Sequence, residues 1–220
     1  MSGDYGAPLA WPLFAIRITV GDVCLRPVRE GDLDALATLL PADAEHDPSS
    51  TMLDGLGLDE NRRRLFMQSY WRSWSSWSVD DWFIHFAVLH AGRLVGVQTL
   101  EAAHFPSLRV VDSSSWLSSD VRGRGIGRAM RTGALALVFD RLGAEAAVSS
   151  AREDNGPSLG VSRALGYEDN GVSMSLSPSG PCTLRHLILR RARWLSSGLG
   201  AGVTTTGTKA CAPWFGVELT

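Results

Sequence analysis

The sequence predicts an α/β fold: a mixed, twisted sheet of six or seven strands with helices on both faces. Three observations carry it. Residues 82–101 alternate with period two around His90-Ala91-Gly92-Arg93, which reads as a hairpin. Arg109–Ser118 reads as a strand, a glycine-rich loop follows, and the loop opens a helix whose apolar stripe is Leu135, Val138, Phe139 and Leu142. A second strand, Glu145–Ala151, comes after that helix, and a strand–helix–strand crossover makes the flanking strands parallel.

The elements follow in order. Phe14, Ile16, Ile18 and Val20 alternate through Leu13–Val20, a strand; Gly21-Asp22 turns the chain into Val23–Pro27, a short strand or bend. Glu30–Leu40 is a helix, with Asp32 able to cap it, Leu33, Leu36, Leu39 and Leu40 recurring and Pro41 stopping it. Residues 42–57, with Pro48, Ser49, Ser50, Gly55 and Gly57, form a loop. Leu58–Trp77 is a helix with Phe66, Tyr70, Trp74 and Trp77 on one stripe. After the hairpin, Pro106 lies in a loop. Gly143 ends the long helix, and Asn155-Gly156-Pro157 starts a short one that ends at Gly166. Val172–Leu176 and Leu184–Leu189 are strands joined through Pro178–Pro181. The domain is expected over residues 1–195. A tail over 196–220, rich in Gly and Thr but ending in Pro213-Trp214-Phe215, is expected to pack on the domain or on a second subunit.

Composition excludes several classes. The chain has 220 residues, 45% hydrophobic and 20% charged, an ordinary balance for one globular domain. The net charge of −2 gives no electrostatic footprint for nucleic acid. No run of about 18 apolar residues offers a membrane span. Met1–Pro12 lacks the basic start and apolar stretch of a secretory signal, so a cytoplasmic location is expected. Lys209 is the only lysine among 21 basic residues, a bias that points to a GC-rich, actinobacterial genome. Cys24, Cys182 and Cys211 are odd in number and widely spaced, so neither disulfides nor a metal site is expected.

The chemistry centres on Arg122-Gly123-Arg124-Gly125-Ile126-Gly127. A helix N-terminus has free N–H groups and the positive end of the dipole, and glycines let an anion approach them. Arg122, Arg124 and Arg128 add charge. The loop is not a P-loop, which needs a lysine at GxxxxGK[ST], and its last glycine spacing is short for GxGxxG.

Arg122, Gly125 and Gly127 fill [RQ]-x-x-G-x-[GA], and on these residues the chain resembles the GNAT superfamily of acyl-CoA-dependent N-acyltransferases. The resemblance spans about residues 13–194. Leu25-Arg26-Pro27 with Asp32-Leu33, and Gly92-Arg93-Leu94-Val95-Gly96, look like the family's early strands. Ser115-Trp116-Leu117, Asn155-x-x-Ser158 and Leu165-Gly166-Tyr167 look like its RimJ/RimL-like branch. Trp11-Pro12-Leu13-Phe14, Asp81-Trp82, Val95-Gly96-Val97-Gln98, Phe105-Pro106, Asp112-Ser113-x-Ser115 and Pro213-x-Phe215-Gly216 are similar to a mycobacterial branch that uses succinyl-CoA.

The resemblance implies a GNAT-like fold and transfer of an acetyl or succinyl group from CoA to an amine by direct attack. It implies acetyl-CoA or succinyl-CoA as co-substrate. No metal, nucleic-acid or membrane partner is expected from the cysteines, the charge and the hydropathy, and the apolar end of the tail makes a homodimer one possible assembly. Residues 122–127 would hold the CoA pyrophosphate, and backbone groups around Leu117 and Ser119 would pair with the pantetheine arm where the parallel strands part. Asn155 would hydrogen-bond that arm or simply cap its helix. Ser158 matches a serine placed near the CoA sulfur, as proton donor or stabiliser, and its alternative is a capping serine. Other members carry a tyrosine seven residues after the asparagine; here Ser162 stands there. Asp112, aligned with an acidic residue of the related branch, and Glu101 are the candidates for the base that frees the amine, with His104 a rival. His85 and Tyr167 are read as core. Trp71, Trp74, Trp77 and Trp82 are read as core or as the wall of an acceptor pocket. A succinyl carboxylate would need a cation, for which Arg109 and Arg152 are candidates. The alternative function is a non-catalytic acyl-CoA-binding module on the same fold.

Overall fold

The computed structural model describes residues 10–44, 50–177 and 180–217. Pro48 and Ser49 of the expected loop, Pro178 and Ser179 of the expected turn, and most of the start read for a signal lie outside the described residues.

One sheet holds nine strands in the order β7-β8-β6-β5-β4-β3-β2-β1-β9. These are β1 (Arg17–Val20), β2 (Val23–Pro27), β3 (Trp82–His90), β4 (Arg93–Ala102), β5 (Val110–Leu117), β6 (Ala146–Arg152), β7 (Glu168–Ser177), β8 (Gly180–Arg190) and β9 (Val203–Thr206). The helices are α1 (Leu33–Leu39), α2 (Leu58–Ser75), α3 (Phe105–Leu108), α4 (Ile126–Ala136), α5 (Gly156–Ala164) and α6 (Arg191–Ser197). The sheet exceeds the expected six or seven strands for two reasons. Val23–Pro27 is a full strand and not a bend, and the tail supplies β9, antiparallel to β1 from Arg17↔Thr206 to Val20↔Val203. The expected first strand is also shorter: Pro12–Ala15 winds into a 3-10 turn that buries Leu13.

Every pairing is antiparallel except β5 with β6. Both faces of the sheet are covered. Ile84, Phe86 and Val88 of β3 join Ile18, Leu25 and the α4 residues Met130, Ala134 and Leu135 in the larger core. Ala87 of β3 and Val97 of β4 point the other way, onto Leu33, Leu36 and Tyr70 of α1 and α2. Alternation along the strands sorts the apolar residues between these two layers. At Gly96 β4 runs close against β5: a Cβ there would lie 2.2 Å from the Trp116 carbonyl oxygen. Only glycine permits that approach, which holds the end of β5 against β4 and away from β6.

Candidate active site

The parallel pair β5–β6 is registered only at Val110↔Ala146, Val111↔Ala147 and Asp112↔Val148. Beyond Asp112 the strands part. Two serine hydroxyls bridge the parting: Ser113 Oγ donates to the Val148 carbonyl at 3.4 Å, and Ser149 Oγ donates to the Ser113 carbonyl at 3.1 Å. From Ser114 to Leu117, β5 has no strand paired on that side among the described residues. A strand edge with open N–H and C=O groups is what an amide-bearing chain can add to.

The glycine loop ends at this edge. Leu117 is buried at the end of β5, and Ser119 starts a 3-10 turn. Gly123 and Gly125 take left-handed conformations (φ +73° and +79°), and Gly125 is the N-cap of α4. At the start of a helix the first N–H groups have no intrahelical acceptor and are available to an anion. Ile126 is buried beneath the loop, while Arg124 and Arg128 are exposed. Arg122 is engaged with protein groups: its guanidinium meets Asp43 through two bonds of 2.6 and 2.8 Å, and its Nε donates to the Leu117 carbonyl at 3.0 Å. That pairing holds the Asp43 carboxyl below the usual range.

Asn155 is the N-cap of α5, and its Oδ1 accepts from the Ser158 backbone N–H at 3.1 Å. Ser158 is partly buried in the first turn of α5. Its neighbour Ser162 is buried and accepts from Arg131.

On the opposite side of the parting lies an open cleft of about 520 Å³, lined by residues that include Asp81, Trp82, Phe83, Glu101, Asp112 and Val148. Glu101 and Asp112 are direct cross-strand partners and share a face. Burial raises the pKa of both, and the charge of Asp112 raises Glu101 further. For Asp112 the rise is opposed by the Ser113 N–H, which donates to its Oδ1 at 2.6 Å, and by the charges of His186 and Arg131. The two candidates for the base are therefore one facing pair. His104 is exposed beyond β4 with its backbone N–H on Asp81.

The other named residues are placed as follows. His85 is buried and bonded to Thr99 at 2.9 Å, and burial pushes its imidazole down to about 4. Tyr167 is buried in the larger core. Of the tryptophans, Trp82 lines the cleft, Trp74 and Trp77 pack behind it with Trp11, and Trp71 is exposed. Arg109 bonds the Leu142 and Gly216 carbonyls, and Arg152 pairs with Asp154, so both are committed outside the parting. Among the described residues no cluster of His, Cys, Asp or Glu is placed to hold a metal, and no helix is long and apolar enough to cross a membrane.

Sequence reasoning missed Arg131. It is 4% exposed in α4, and it donates to Ser162 Oγ at 2.8 Å and Ser115 Oγ at 3.2 Å. Its Nε has no partner, and no carboxylate lies within ion-pair distance among the described residues. A signal was present: Arg131 occupies the apolar stripe of Leu135, Val138 and Leu142 at helical spacing.

Residues 22–168, roughly two thirds of the chain, match the Acetyltransferase (GNAT) domain family. The chain belongs to the GNAT acetyltransferase family. The GNAT fold extends to solved structures of low identity. Mycobacterium smegmatis RimJ in complex with CoA-disulfide is 16% identical with TM-score 0.65, the match covering 85% of this chain and 96% of that one. RimL, a ribosomal L7/L12 alpha-N-protein acetyltransferase in complex with coenzyme A, is 17% identical with TM-score 0.63, covering 79% and 97%. Vibrio cholerae SpeG, a spermidine/spermine N-acetyltransferase, is 14% identical with TM-score 0.61, covering 80% and 98%. At these identities the shared property is the GNAT fold, and the β5–β6 parting with its glycine loop belongs to the part matched by the GNAT family.

Proposed function

We propose that this GNAT protein transfers an acyl group from a CoA thioester to a primary amine by direct attack in a ternary complex. The observation that carries the reading is the parting of β5 and β6 between two unlike approaches. On one side stand the α4 N-terminus and the open β5 edge, suited to a pyrophosphate and an amide-bearing arm. On the other stands the Glu101–Asp112 cleft, suited to an ammonium that must be deprotonated. Donor and acceptor would meet at the parting without an enzyme-bound intermediate. Asp112 or Glu101 takes the ammonium proton, the neutral amine attacks the thioester carbon, and Ser158, one turn into α5, is the proposed group near the departing sulfur. Asn155, as its cap, would set the start of that turn. A carboxylate pair with raised pKa in the cleft favours this reading over a binding module without catalysis.

Gly125→Glu tests it. The variant puts a side chain on a left-handed backbone position and a negative charge where the pyrophosphate would sit. CoA affinity by calorimetry should fall at least tenfold; unchanged affinity would remove the loop from the site.

Arg131 favours succinyl over acetyl as the acyl group. A buried guanidinium with no carboxylate at ion-pair distance among the described residues is costly, the more distant charge of Asp112 offsets only part of that cost, and an anion beside it would be favoured; it lies beside Ser115, just past the parting. Succinyl-CoA should bind more tightly than acetyl-CoA, and Arg131→Gln should erase that preference while leaving affinity for free CoA within about twofold. Equal binding of both thioesters by the wild-type protein would return the assignment to acetyl.

A further inference from the structure

Ser150, His186 and Ser173 form a row that the candidate site does not yet use. Ser150 and His186 are register partners on β6 and β8. Ser150 Oγ lies 2.8 Å from His186 Nδ1, and His186 Nε2 lies 2.8 Å from Ser173 Oγ on β7. The row is on the cleft side of the sheet. Asp112 pairs with Val148 and Val148 with Ile188, so Ser150 and His186, each two residues from that line, point to the same face as Asp112. Ser150 is the first residue of β6 on this face beyond the parting, where β5 no longer runs beside it. The field of His186 also reaches Asp112 and favours its charged form.

We propose that Ser150 and His186 are a proton relay for the acyl transfer, with Ser173 as the residue that sets the imidazole tautomer. This rests on the acyltransferase reading above. In the proposed relay Ser173 Oγ accepts from Nε2–H, and Nδ1 then accepts from the Ser150 hydroxyl. The outward lone pair of Ser150 Oγ is then free to take a proton from the attacking nitrogen. As the new C–N bond forms, the nitrogen gives a proton to Ser150 Oγ, and the Ser150 proton passes to His186 Nδ1. As the C–S bond breaks, the imidazolium returns one proton through the same hydroxyl to the thiolate. The nitrogen has lost one proton, the sulfur has gained one, and the relay ends as it began. Asp112 and Glu101 keep the earlier task of taking the proton from the free ammonium.

Long-range 1H–15N NMR on the full chain reads the imidazole nitrogens directly, with His186→Gln assigning the signals by their loss. The neutral ring of His186 should be the Nε2–H tautomer, and Ser173→Ala should reduce that preference. Acetyl-CoA or succinyl-CoA should shift the His186 signals, and Ser150→Ala should remove most of that shift. Calorimetry on the same samples reports thioester binding separately. If a thioester binds but the His186 signals stay where they were, or the ring is Nδ1–H, the relay is wrong and the acyltransferase reading stands. If no thioester binds, that reading falls and takes the relay with it. Ser150 and Ser173 lie on the surface, so melting temperatures of their variants within about 2 °C of wild type should accompany these results.

Discussion

Glu101 and Asp112 face each other across neighbouring antiparallel strands, and like charges directly opposite destabilise a sheet. Their folded pKa values are both raised. The pair's contribution to stability is therefore most favourable at low pH, where both are protonated, and is lost as pH rises through the raised values. Two outcomes follow at neutral pH. Asp112→Asn should raise the melting temperature and lower kcat. Glu101→Gln should relieve Asp112 of its neighbour's charge and move the acid limb of kcat/KM to lower pH, as read from a pH–rate profile. A limb that stays in place would mean that the two carboxylates do not share the task. The same spacing that makes the pair costly makes it useful, because a carboxylate whose pKa is raised is a stronger base towards an ammonium.

The tail is an element of the cleft's support. After α6, β9 closes the sheet edge beside β1, and Lys209–Phe215 winds into a 3-10 segment. Trp77 donates its indole N–H to the Trp214 carbonyl at 3.2 Å, and Phe215 packs edge-on against Trp82 at 5.0 Å between ring centroids. Trp82 lines the cleft, so Phe215 stands behind its wall. Phe215→Ala should cost about 3–5 kcal/mol of stability in chemical denaturation, and should raise KM for the amine more than KM for the acyl-CoA. Truncation after Ser197 removes β9 as well and uncovers the edge of β1. Its melting temperature should drop by more than 10 °C, with association visible by light scattering. A truncated chain that melts like wild type and keeps its oligomeric state would show that the tail supports neither the core nor an interface.

At the scale of the whole molecule, a buried histidine adds to the acid sensitivity of the fold. His85 is 5% exposed beneath α2, bonded to Thr99, with its pKa down at about 4. A depressed folded value means the fold holds the neutral ring, so this contribution is present above about pH 6.5 and is lost as pH falls towards 4. The span is worth roughly 3 kcal/mol at 1.4 kcal/mol per unit. His85→Gln keeps a hydrogen-bonding side chain without the charge. Denaturant titrations across that window should show a flatter pH dependence for the variant. The Glu101–Asp112 pair works in the opposite sense, so the Glu101→Gln variant, measured alongside, separates the two. An unchanged slope for His85→Gln would place the acid sensitivity elsewhere.

Local order was written in the chain because it depends on local physics. Period-two alternation marked β3 and β4, the stripe at Leu135, Val138 and Leu142 marked α4 and the helical turn that continues it over Leu137–Arg141, and the glycines at 123 and 125 marked the bend before α4. The carboxylates Glu101 and Asp112 were found as separate candidates. That they face each other follows from a β4–β5 register set between strands, which neither strand encodes alone. The same limit hid the β9–β1 pairing, which joins segments almost the length of the chain apart. Arg131 showed as an arginine on an apolar stripe, but only the packing of α4 against Ser115 and Ser162 shows it buried with no carboxylate at ion-pair distance among the described residues. The sequence by itself determined most of the elements and named the candidate residues they carry. The tertiary structure decided which groups meet across strands, because register, parting and burial are properties of the packed chain and not of any single segment.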